Sequence, residues 1–310
     1  MKNQDVVSFL QKQKNHFFLH LDVLNNSSNT KKVYKKTIDE FVGFVESENL
    51  LDTLNVLDLN KYFILRFFEK LKNKGLSKNS IILHLKVIKH FFRFISENSE
   101  FDLIKPIEKL TIKEDKKEIV TFTKDEIDKI KEYLFDFLDK SSNYDRYKNA
   151  LSLAFIAVTG IRANECLNIK EKNVDIINNE FVRVKIEGKG NKERYVYLDE
   201  VFIEYINKLK RLKPTKSEYL FSKRDGNKAS YYNLFAYNNN LLKKLNINKS
   251  GLHIYRHTLA STLVEENINL ETIKEILGHS NIAITSKYYA KASEKAKREA
   301  MLRLKLKGLV

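Results

Sequence analysis

Apolar residues in the first third of the chain recur at helical spacing. A first helix is predicted over 6–21, and the polar run 25–29 ends it and offers N-caps to a second helix. The third predicted helix stops near Gly75, and the fourth begins between Ser77 and Ser80. No segment of this part shows strong strand alternation, so the pattern predicts a small helical bundle. The polar side of the fourth helix is basic and carries Lys86, Lys89, His90 and Arg93.

The helical period is lost after residue 97. The capping-box spacing of Thr123 and Glu126 then predicts the start of a second domain, with helices over 124–139 and 144–159. In the segment that follows these helices, apolar residues no longer recur at helical spacing.

Alternating apolar residues on both sides of a glycine-containing turn predict a β-hairpin. Its strands are expected over 181–187 and 194–198, with the turn at 188–192. Beyond the hairpin the pattern is helical again, apart from a polar loop around 213–228. The second half is therefore predicted to be helical with a small antiparallel sheet.

The composition adds a strong positive charge. The 310 residues suffice for two domains, and 56 lysines and arginines against 40 acidic residues give a net charge of +16. This balance favours a polyanionic partner such as nucleic acid, although a solvated lysine-rich surface has the same composition. The single cysteine, Cys166, excludes an intramolecular disulfide, and its apolar surroundings predict a buried, inert thiol. No signal peptide or membrane span is recognisable, which predicts a cytoplasmic protein.

Side chains suited to phosphoryl transfer occur in four short motifs of the second half. These motifs are 159–165, 252–257, 277–280 and 285–289. A phosphodiester resists attack because its charge repels nucleophiles and its alkoxide is a poor leaving group. An enzyme without a metal therefore needs cations on the non-bridging oxygens, an acid and an activated nucleophile.

Each requirement has a candidate in these motifs. Arg162 and Arg256 carry planar guanidinium groups that can hold a phosphate through two hydrogen bonds. His253 stands three residues before Arg256, on the same predicted helix face, and can carry a proton. His279 follows the end of a short predicted helix, and Tyr288 lies nine residues further on as the candidate nucleophile.

Simpler structural interpretations exist for the basic candidates. Arg162 is at the spacing for a surface ion pair with Glu165, which is better suited to orienting neighbours than to chemistry. Lys189 in the hairpin turn can protonate a leaving 5′ oxygen, but Lys192 and Arg194 are rivals for that position. A basic turn is also a common phosphate contact without any catalytic role.

Taken together, the order and spacing of the motifs resemble the tyrosine recombinase (phage integrase) family, and within it the Xer type of site-specific recombinase. The resemblance covers most of the chain. It rests on Thr-Gly-Ile-Arg-x-x-Glu at 159–165, the basic turn at 188–194, His-x-x-Arg-His at 253–257, Leu-Gly-His-Ser at 277–280 and the final tyrosine.

The resemblance implies a mainly α fold with a small antiparallel β-sheet. A helical, SAM-like core-binding domain is expected over 1–104, followed by a linker over 105–118. An α+β catalytic domain is expected over 119–310, with a C-terminal tail from about 291. In that tail, an apolar stripe of Ala292, Ala296, Ala300 and Leu304 recurs every four residues and suits docking on a neighbour or on its own domain.

The resemblance also implies roles for the site residues. Tyr255 stands where the family usually has leucine. Tyr289 adjoins Tyr288, so register alone does not decide which of these two tyrosines is the nucleophile. Arg162 and Arg256 are expected to bind the scissile phosphate, and Glu165 to support them. Lys189 is expected to be the general acid, and His253 to take the acid/base position. His279 is expected to hydrogen-bond the phosphate, and Tyr288 to attack it.

No metal or cofactor is implied, because the phosphotyrosyl bond keeps the energy of the phosphodiester for resealing. The implied partners are duplex DNA with a specific palindromic site and a homo- or hetero-tetramer that works through a Holliday junction, with a DNA translocase as a further candidate activator. The candidates for DNA contacts are Lys86, Lys89, Arg93, Lys192 and Arg194.

Two alternatives of other kinds remain at this stage. One is a regulator that only binds DNA on a recombinase fold, and the other is a type IB topoisomerase or telomere resolvase, which shares the chemistry. Within the recombinases, chromosome dimer resolution and the integration or excision of a mobile element use the same core.

Overall fold

The computed structural model describes residues 5–49, 54–114, 118–188 and 193–278. The chain divides into two compact units, Met1–Lys117 and Glu118–Val310. The described part contains eleven α-helices and one three-stranded antiparallel sheet, which confirms the predicted mainly α fold with a small sheet. None of the described helices is both long enough and apolar enough to cross a membrane.

Four α-helices make up most of the described part of the N-terminal unit. They are α1 (Val6–Val23), α2 (Ser28–Glu48), α3 (Lys61–Asn73) and α4 (Lys78–Asn98). Each begins after a polar residue whose side-chain oxygen accepts a hydrogen bond from the first turn, and these residues are Asp5, Ser27, Asn60 and Ser77. Local capping therefore sets the helix starts, and the predicted bundle is confirmed.

Aromatic rings fill the core of this unit. The ring of Phe41 lies edge-on to Phe67 and Phe92, with centroid distances of 5.3 and 5.6 Å. All three side chains are buried. Edge-to-face packing of this kind adds about 0.5–1.5 kcal/mol per pair to the burial of the rings.

The N-terminal unit extends past residue 104, where the sequence pattern places the end of the domain. Leu103 and Ile107 are buried in its core, and Leu110 and Ile112 pack against it. The first part of the predicted linker 105–118 therefore belongs to this unit. These residues are not helical, so a search for helical periodicity misses them.

The C-terminal unit is built around one helix that is buried on nearly every side. This helix is α6 (Tyr144–Thr159), and the other helices in the described part of the unit are α5 (Lys124–Lys140), α7 (Ala163–Leu167), α8 (Val201–Leu212), α9 (Tyr231–Lys244), α10 (His253–Glu265) and α11 (Leu270–Leu277). Helix α6 packs against α5, α8, α9, α10 and the sheet. Cys166 on α7 is fully buried, and burial raises the pKa of its thiol, as expected for a structural cysteine.

The sheet contains the predicted hairpin and one further strand. Strands β2 (Phe181–Glu187) and β3 (Glu193–Asp199) pair antiparallel, with Val184 opposite Val196. The additional strand β1 (Val174–Ile177) pairs with the other edge of β2. With only four residues, β1 is too short for alternation to reveal it. The turn residues 189–192 lie outside the described residues.

Candidate active site

A left-handed glycine at the end of α6 directs the chain into the site. Gly160 has a φ of +64°, and a Cβ atom there would lie 2.8 Å from Leu259 Cδ2 and 2.9 Å from Leu277 Cδ2. Both the conformation and the close packing therefore require glycine. The turn places Arg162 at the N-cap of α7 (Ala163–Leu167).

Glu165 holds the guanidinium of Arg162 in place. The carboxylate accepts a hydrogen bond from Arg162 Nη1 at 2.7 Å and another from the Arg162 backbone N–H at 2.9 Å. The Arg162 side chain is 38% exposed, whereas that of Glu165 is 8% exposed. The predicted ion pair is therefore present, but its acidic partner is buried and leaves part of the guanidinium accessible.

Arg194 on β3 is the second cation bound by Glu165. Its Nη2 donates to Glu165 Oε2 at 2.7 Å, and its Nε donates to the carbonyl oxygen of Ile276 at 3.2 Å. Its side chain is only 13% exposed. The sequence predicts Arg194 as a DNA contact, but the structure turns the guanidinium inward, where two protein acceptors bind it. The spacing along β3 cannot show these partners, because they belong to α7 and α11.

The two arginines keep Glu165 ionised. Burial alone raises the pKa of the Glu165 carboxyl group, but the hydrogen bond and charge of Arg194, followed by the hydrogen bonds of Arg162, lower it below the ordinary value. The cluster of Arg162, Glu165 and Arg194, called here the Glu165 cluster, contains two cations and one anion. It therefore keeps a net positive charge at neutral pH.

The C-terminal end of α11 lies beside the Glu165 cluster. This helix ends at Gly278, whose φ of +65° is left-handed, as predicted for the residue that stops the helix. The Gly278 carbonyl oxygen accepts a hydrogen bond from Arg162 Nη2 at 3.4 Å. Cations at this position also suit the partial negative charge of a helix C-terminus. The next residue along the chain is His279.

Helix α10 supplies the remaining described candidates. Arg256 is 3% exposed, and its Nη1 donates to the carbonyl oxygen of Gly160 at 3.0 Å. His253 is the exposed first residue of the helix. Desolvation by the surrounding protein, and then the charges of Arg256 and Arg162, lower the pKa of His253, against the opposing effect of Glu165. The imidazole is therefore neutral at pH 7.

Tyr255, the residue before Arg256, packs within the core of the C-terminal unit. The side chain is fully buried, its ring lies 4.9 Å from that of Phe122, and its hydroxyl donates to Asn238 Oδ1 at 2.7 Å. A tyrosine is stable at this buried position because Asn238, on α9, satisfies the hydroxyl. The asparagine gives no signal in the sequence, since it lies 17 residues away on a different helix.

Four of the predicted site residues cannot be placed. Lys189, Lys192, His279 and Tyr288, together with Tyr289 and the tail, lie outside the described residues. The described candidates Arg162, Glu165 and Arg256 come together around the turn at Gly160 through the hydrogen bonds given above, and His253 lies close enough for the charges of Arg256, Arg162 and Glu165 to influence its pKa.

The basic candidates of α4 belong to the N-terminal unit. Lys86 and Arg93 are exposed, and Lys86 forms a 3.5 Å ion pair with Glu114. Lys89 Nζ donates to the carbonyl oxygen of Glu108 at 2.6 Å. Desolvation, and then the charge of Arg93, lower the pKa of Lys89.

Anchored guanidinium groups beside a neutral imidazole, in a strongly basic chain, form a site that suits a nucleic-acid phosphate and proton transfer around it. Residues 113–295 match the phage integrase family, and residues 15–99 match the phage integrase N-terminal SAM-like domain. The chain belongs to the phage integrase family, the tyrosine recombinases, whose members are site-specific DNA recombinases.

Individual relatives agree with this assignment. The chain is 26% identical over 270 residues to tyrosine recombinase XerC of Staphylococcus aureus, and this aligned region covers 85% of this chain and 86% of the relative. Its fold is similar to that of the XerH recombinase bound to difH, with a TM-score of 0.72, 23% identity and coverage of 94% and 83% of the two chains. A lambda integrase dimer bound to a COC′ core site has a TM-score of 0.66, 16% identity and coverage of 90% and 94%.

Replacement of Gly278 tests whether the helix end and the Glu165 cluster support each other. A Cβ atom at Gly278 would lie 2.8 Å from Arg194 Nη1 and 2.9 Å from its Cζ. Gly278→Ala is expected to destabilise the C-terminal unit by about 1–2 kcal/mol through the left-handed backbone. Displacing Arg194 from its acceptors adds about 1–3 kcal/mol. Urea unfolding measures the total loss in the free energy of unfolding, and hydrogen exchange shows which unit loses it.

Gly75→Ala is the matched control for this prediction. Gly75 also has a left-handed φ, of +84°, but nothing lies within 4 Å of its Cβ position. Only the backbone contribution of about 1–2 kcal/mol is expected there. Equal losses of stability in Gly278→Ala and Gly75→Ala would show that Arg194 does not pack closely against Gly278.

Proposed function

We propose that this chain cleaves and rejoins duplex DNA at a specific site by transferring a DNA phosphate to Tyr288. The observation that carries the proposal is the pair of guanidinium groups of Arg162 and Arg256. One is anchored by the buried carboxylate of Glu165 and the other by the carbonyl oxygen of Gly160. They belong to a chain of the phage integrase family.

The two arginines are suited to bind the scissile phosphate. Arg162 is partly exposed, and Glu165 fixes its orientation before the DNA arrives, so little side-chain entropy is lost on binding. Arg256 hydrogen-bonds the residue two positions before Arg162, which couples both cations to one turn. Charge that develops on the non-bridging oxygens is stabilised by such preorganised donors. In the proposed site His279, directly after Gly278, adds a further hydrogen bond to the phosphate.

The chemical step balances without a cofactor. The Tyr288 hydroxyl oxygen attacks phosphorus, the bond between phosphorus and the 5′ oxygen breaks, and a 3′-phosphotyrosyl bond forms. The phenolic proton passes to a base, for which neutral His253 is the described candidate. Lys189 gives a proton to the leaving 5′ oxygen, which becomes a hydroxyl. The reverse reaction with a 5′-hydroxyl of another strand seals the DNA.

Both units are proposed to bind DNA. We assign the N-terminal unit, whose packing extends to Ile112, to core binding and residues 119–310 to catalysis, with phosphate contacts from Lys86, Lys89, Arg93 and Lys192. Contacts of this kind release counterions, so binding is expected to weaken steeply with salt. Arg194 is omitted from this set because its guanidinium faces inward.

The assembly is proposed from the relatives. XerH has been solved with its difH substrate before and after cleavage, and lambda integrase as a tetramer on a Holliday junction. We propose that this chain likewise acts as a tetramer on two palindromic sites, through a Holliday junction. The similarity to XerC along most of both chains supports an Xer-like role.

Substitution of the two adjacent tyrosines tests the nucleophile. With a nicked suicide substrate, wild-type protein is expected to become covalently attached to DNA. Tyr288→Phe is expected to keep site-specific binding and to form no covalent complex, because the attacking hydroxyl is gone. Tyr289→Phe is the matched control and retains attachment, as seen by denaturing electrophoresis.

Two results would contradict this assignment. Attachment that persists in Tyr288→Phe and disappears in Tyr289→Phe would exchange the roles of the two tyrosines. Wild-type protein that binds its site but never becomes attached would favour a DNA-binding regulator.

The pH profile of cleavage tests the proton-transfer role of His253. Its lowered pKa keeps the imidazole neutral at pH 7, so activity is present above that pKa and lost as the pH falls through it. Single-turnover cleavage is expected to show an acid limb below about pH 6.5. His253→Gln should lower the rate by about 10²-fold or more and remove the limb.

His257→Gln controls for a general effect of the helix. Desolvation also lowers the pKa of His257, with a further contribution from His253, and it lies on the same helix. This variant should keep the acid limb of the wild type. A limb that disappears in His257→Gln and persists in His253→Gln would assign the proton-transfer role to His257.

A further inference from the structure

We infer that Arg194 is a positioning residue, which fixes strand β3, the start of α7 and the end of α11 relative to one another. This inference rests on the proposed function, because its value to the enzyme lies in placing catalytic groups. Arg194 follows Lys189 by five residues, Glu165 is held beside Arg162, and Gly278 directly precedes His279. Arg194 therefore lies on one of the three segments next to these candidates, and its side chain contacts the other two.

The hydrogen bonds of Arg194 use two separate N–H donors of its guanidinium. Nη2 donates to Glu165 on α7 at 2.7 Å, and Nε donates to the carbonyl oxygen of Ile276 on α11 at 3.2 Å. The first partner is 29 residues away in sequence and the second is 82 residues away. The geometry requires a planar group with separate donors. A lysine, with one ammonium group, cannot reproduce both bonds in the same positions.

The guanidinium also packs directly against Gly278. A Cβ atom there would lie 2.8, 2.9 and 3.0 Å from Nη1, Cζ and Nε of Arg194. The absence of a side chain on Gly278 therefore lets the guanidinium approach the helix end. Gly278 in turn accepts the hydrogen bond from Arg162, so the contacts close a loop through Arg194, Glu165, Arg162 and Gly278.

Arg194 also sets the charge of the Glu165 cluster. With both arginines present, one carboxylate is shared between two cations, so Arg162 is only partly neutralised. Without Arg194, Glu165 would pair with Arg162 alone and would cancel more of the charge offered to a phosphate. Arg194 is moreover the strongest of the influences that lower the pKa of Glu165, and the opposing effect of burial would remain after its removal.

The surroundings of Arg194 separate this role from a DNA contact. Two protein acceptors and the close packing against Gly278 occupy its guanidinium, whereas the next residue, Tyr195, is 47% exposed on the opposite face of the strand. Arg183 on β2 offers a contrasting arginine, since its side chain is 41% exposed and pairs with Asp175 at 2.9 Å. Substitution of these two arginines therefore has different expected consequences.

The test uses the full chain with Arg194→Met, Arg194→Lys and the control Arg183→Met. Affinity for the site is measured across salt concentrations, and cleavage of the suicide substrate is measured at saturating DNA. Arg194→Met should leave the salt slope of binding unchanged and lower the cleavage rate at least tenfold. A lost phosphate contact would instead reduce the slope by about 0.9. Arg183→Met should cleave within about twofold of wild type, as expected for an exposed side chain outside the site.

A pH profile and a double variant add readouts that a merely structural role would not change. In Arg194→Met a second acid limb, at lower pH than that of His253, should appear in the cleavage profile, because Glu165 loses its strongest pKa-lowering partner and becomes easier to protonate. The combined Arg194→Met and Glu165→Gln variant should cleave no more slowly than the slower single variant, since both act through one cluster. Additive losses would overturn the inference.

Arg194→Lys keeps the inference testable if Arg194→Met does not fold. This variant keeps the charge but loses the planar fork, so cleavage should still fall with an unchanged salt slope. A slope reduced by about 0.9 in Arg194→Met, or full activity in Arg194→Lys, would overturn the inference.

Amide exchange distinguishes this inference from the proposed function. Substitution of Arg194 should speed exchange in the last turn of α11 and not in the central helix α6. Wild-type protein that never attaches to DNA would refute the proposed function, while exchange in α11 would still test the contacts of Arg194. Unchanged exchange at that helix end would refute the positioning role alone.

Discussion

The candidate site depends on one buried carboxylate that binds two guanidinium groups. Glu165 is held by Arg194 from the sheet and holds Arg162 at the start of α7, with both bonds at 2.7 Å. A buried carboxylate is stable only when its charge is compensated and its oxygens are hydrogen-bonded, and both conditions are met here. Removal of any member would leave an uncompensated charge close to the others.

In the proposed function, this arrangement lets a single turn present two cations to a phosphate. The left-handed Gly160 ends α6 and offers its carbonyl oxygen to Arg256, and two residues later Arg162 is oriented by Glu165. The cations are thus fixed by the protein before any ligand arrives, which is the condition for electrostatic stabilisation of a transition state. Desolvation, and then the charges of Arg256 and Arg162, lower the pKa of His253 and keep its imidazole neutral, so in the proposed function the same cations act on both the phosphate and the proton carrier.

Features set by local interactions could be predicted from the sequence. The caps at Ser27, Ser77 and Thr123, the hairpin and the glycine that ends α11 each depend on residues within a few positions. Contacts between distant segments could not be predicted in this way. The inward direction of Arg194 depends on a carbonyl 82 residues away, and the burial of Ile107 depends on a core that has no helical period at that point.

The most direct test of the central claim is the cleavage rate of Glu165→Gln at saturating DNA. Glutamine keeps the size of the side chain but removes the charge that both arginines share. We expect retained DNA binding and a cleavage rate at least tenfold lower, corresponding to about 1.4 kcal/mol or more of lost transition-state stabilisation. Glu193→Gln, an exposed glutamate of β3 that pairs with Lys185, is the matched control. A Glu165→Gln rate within twofold of the wild type would contradict the account.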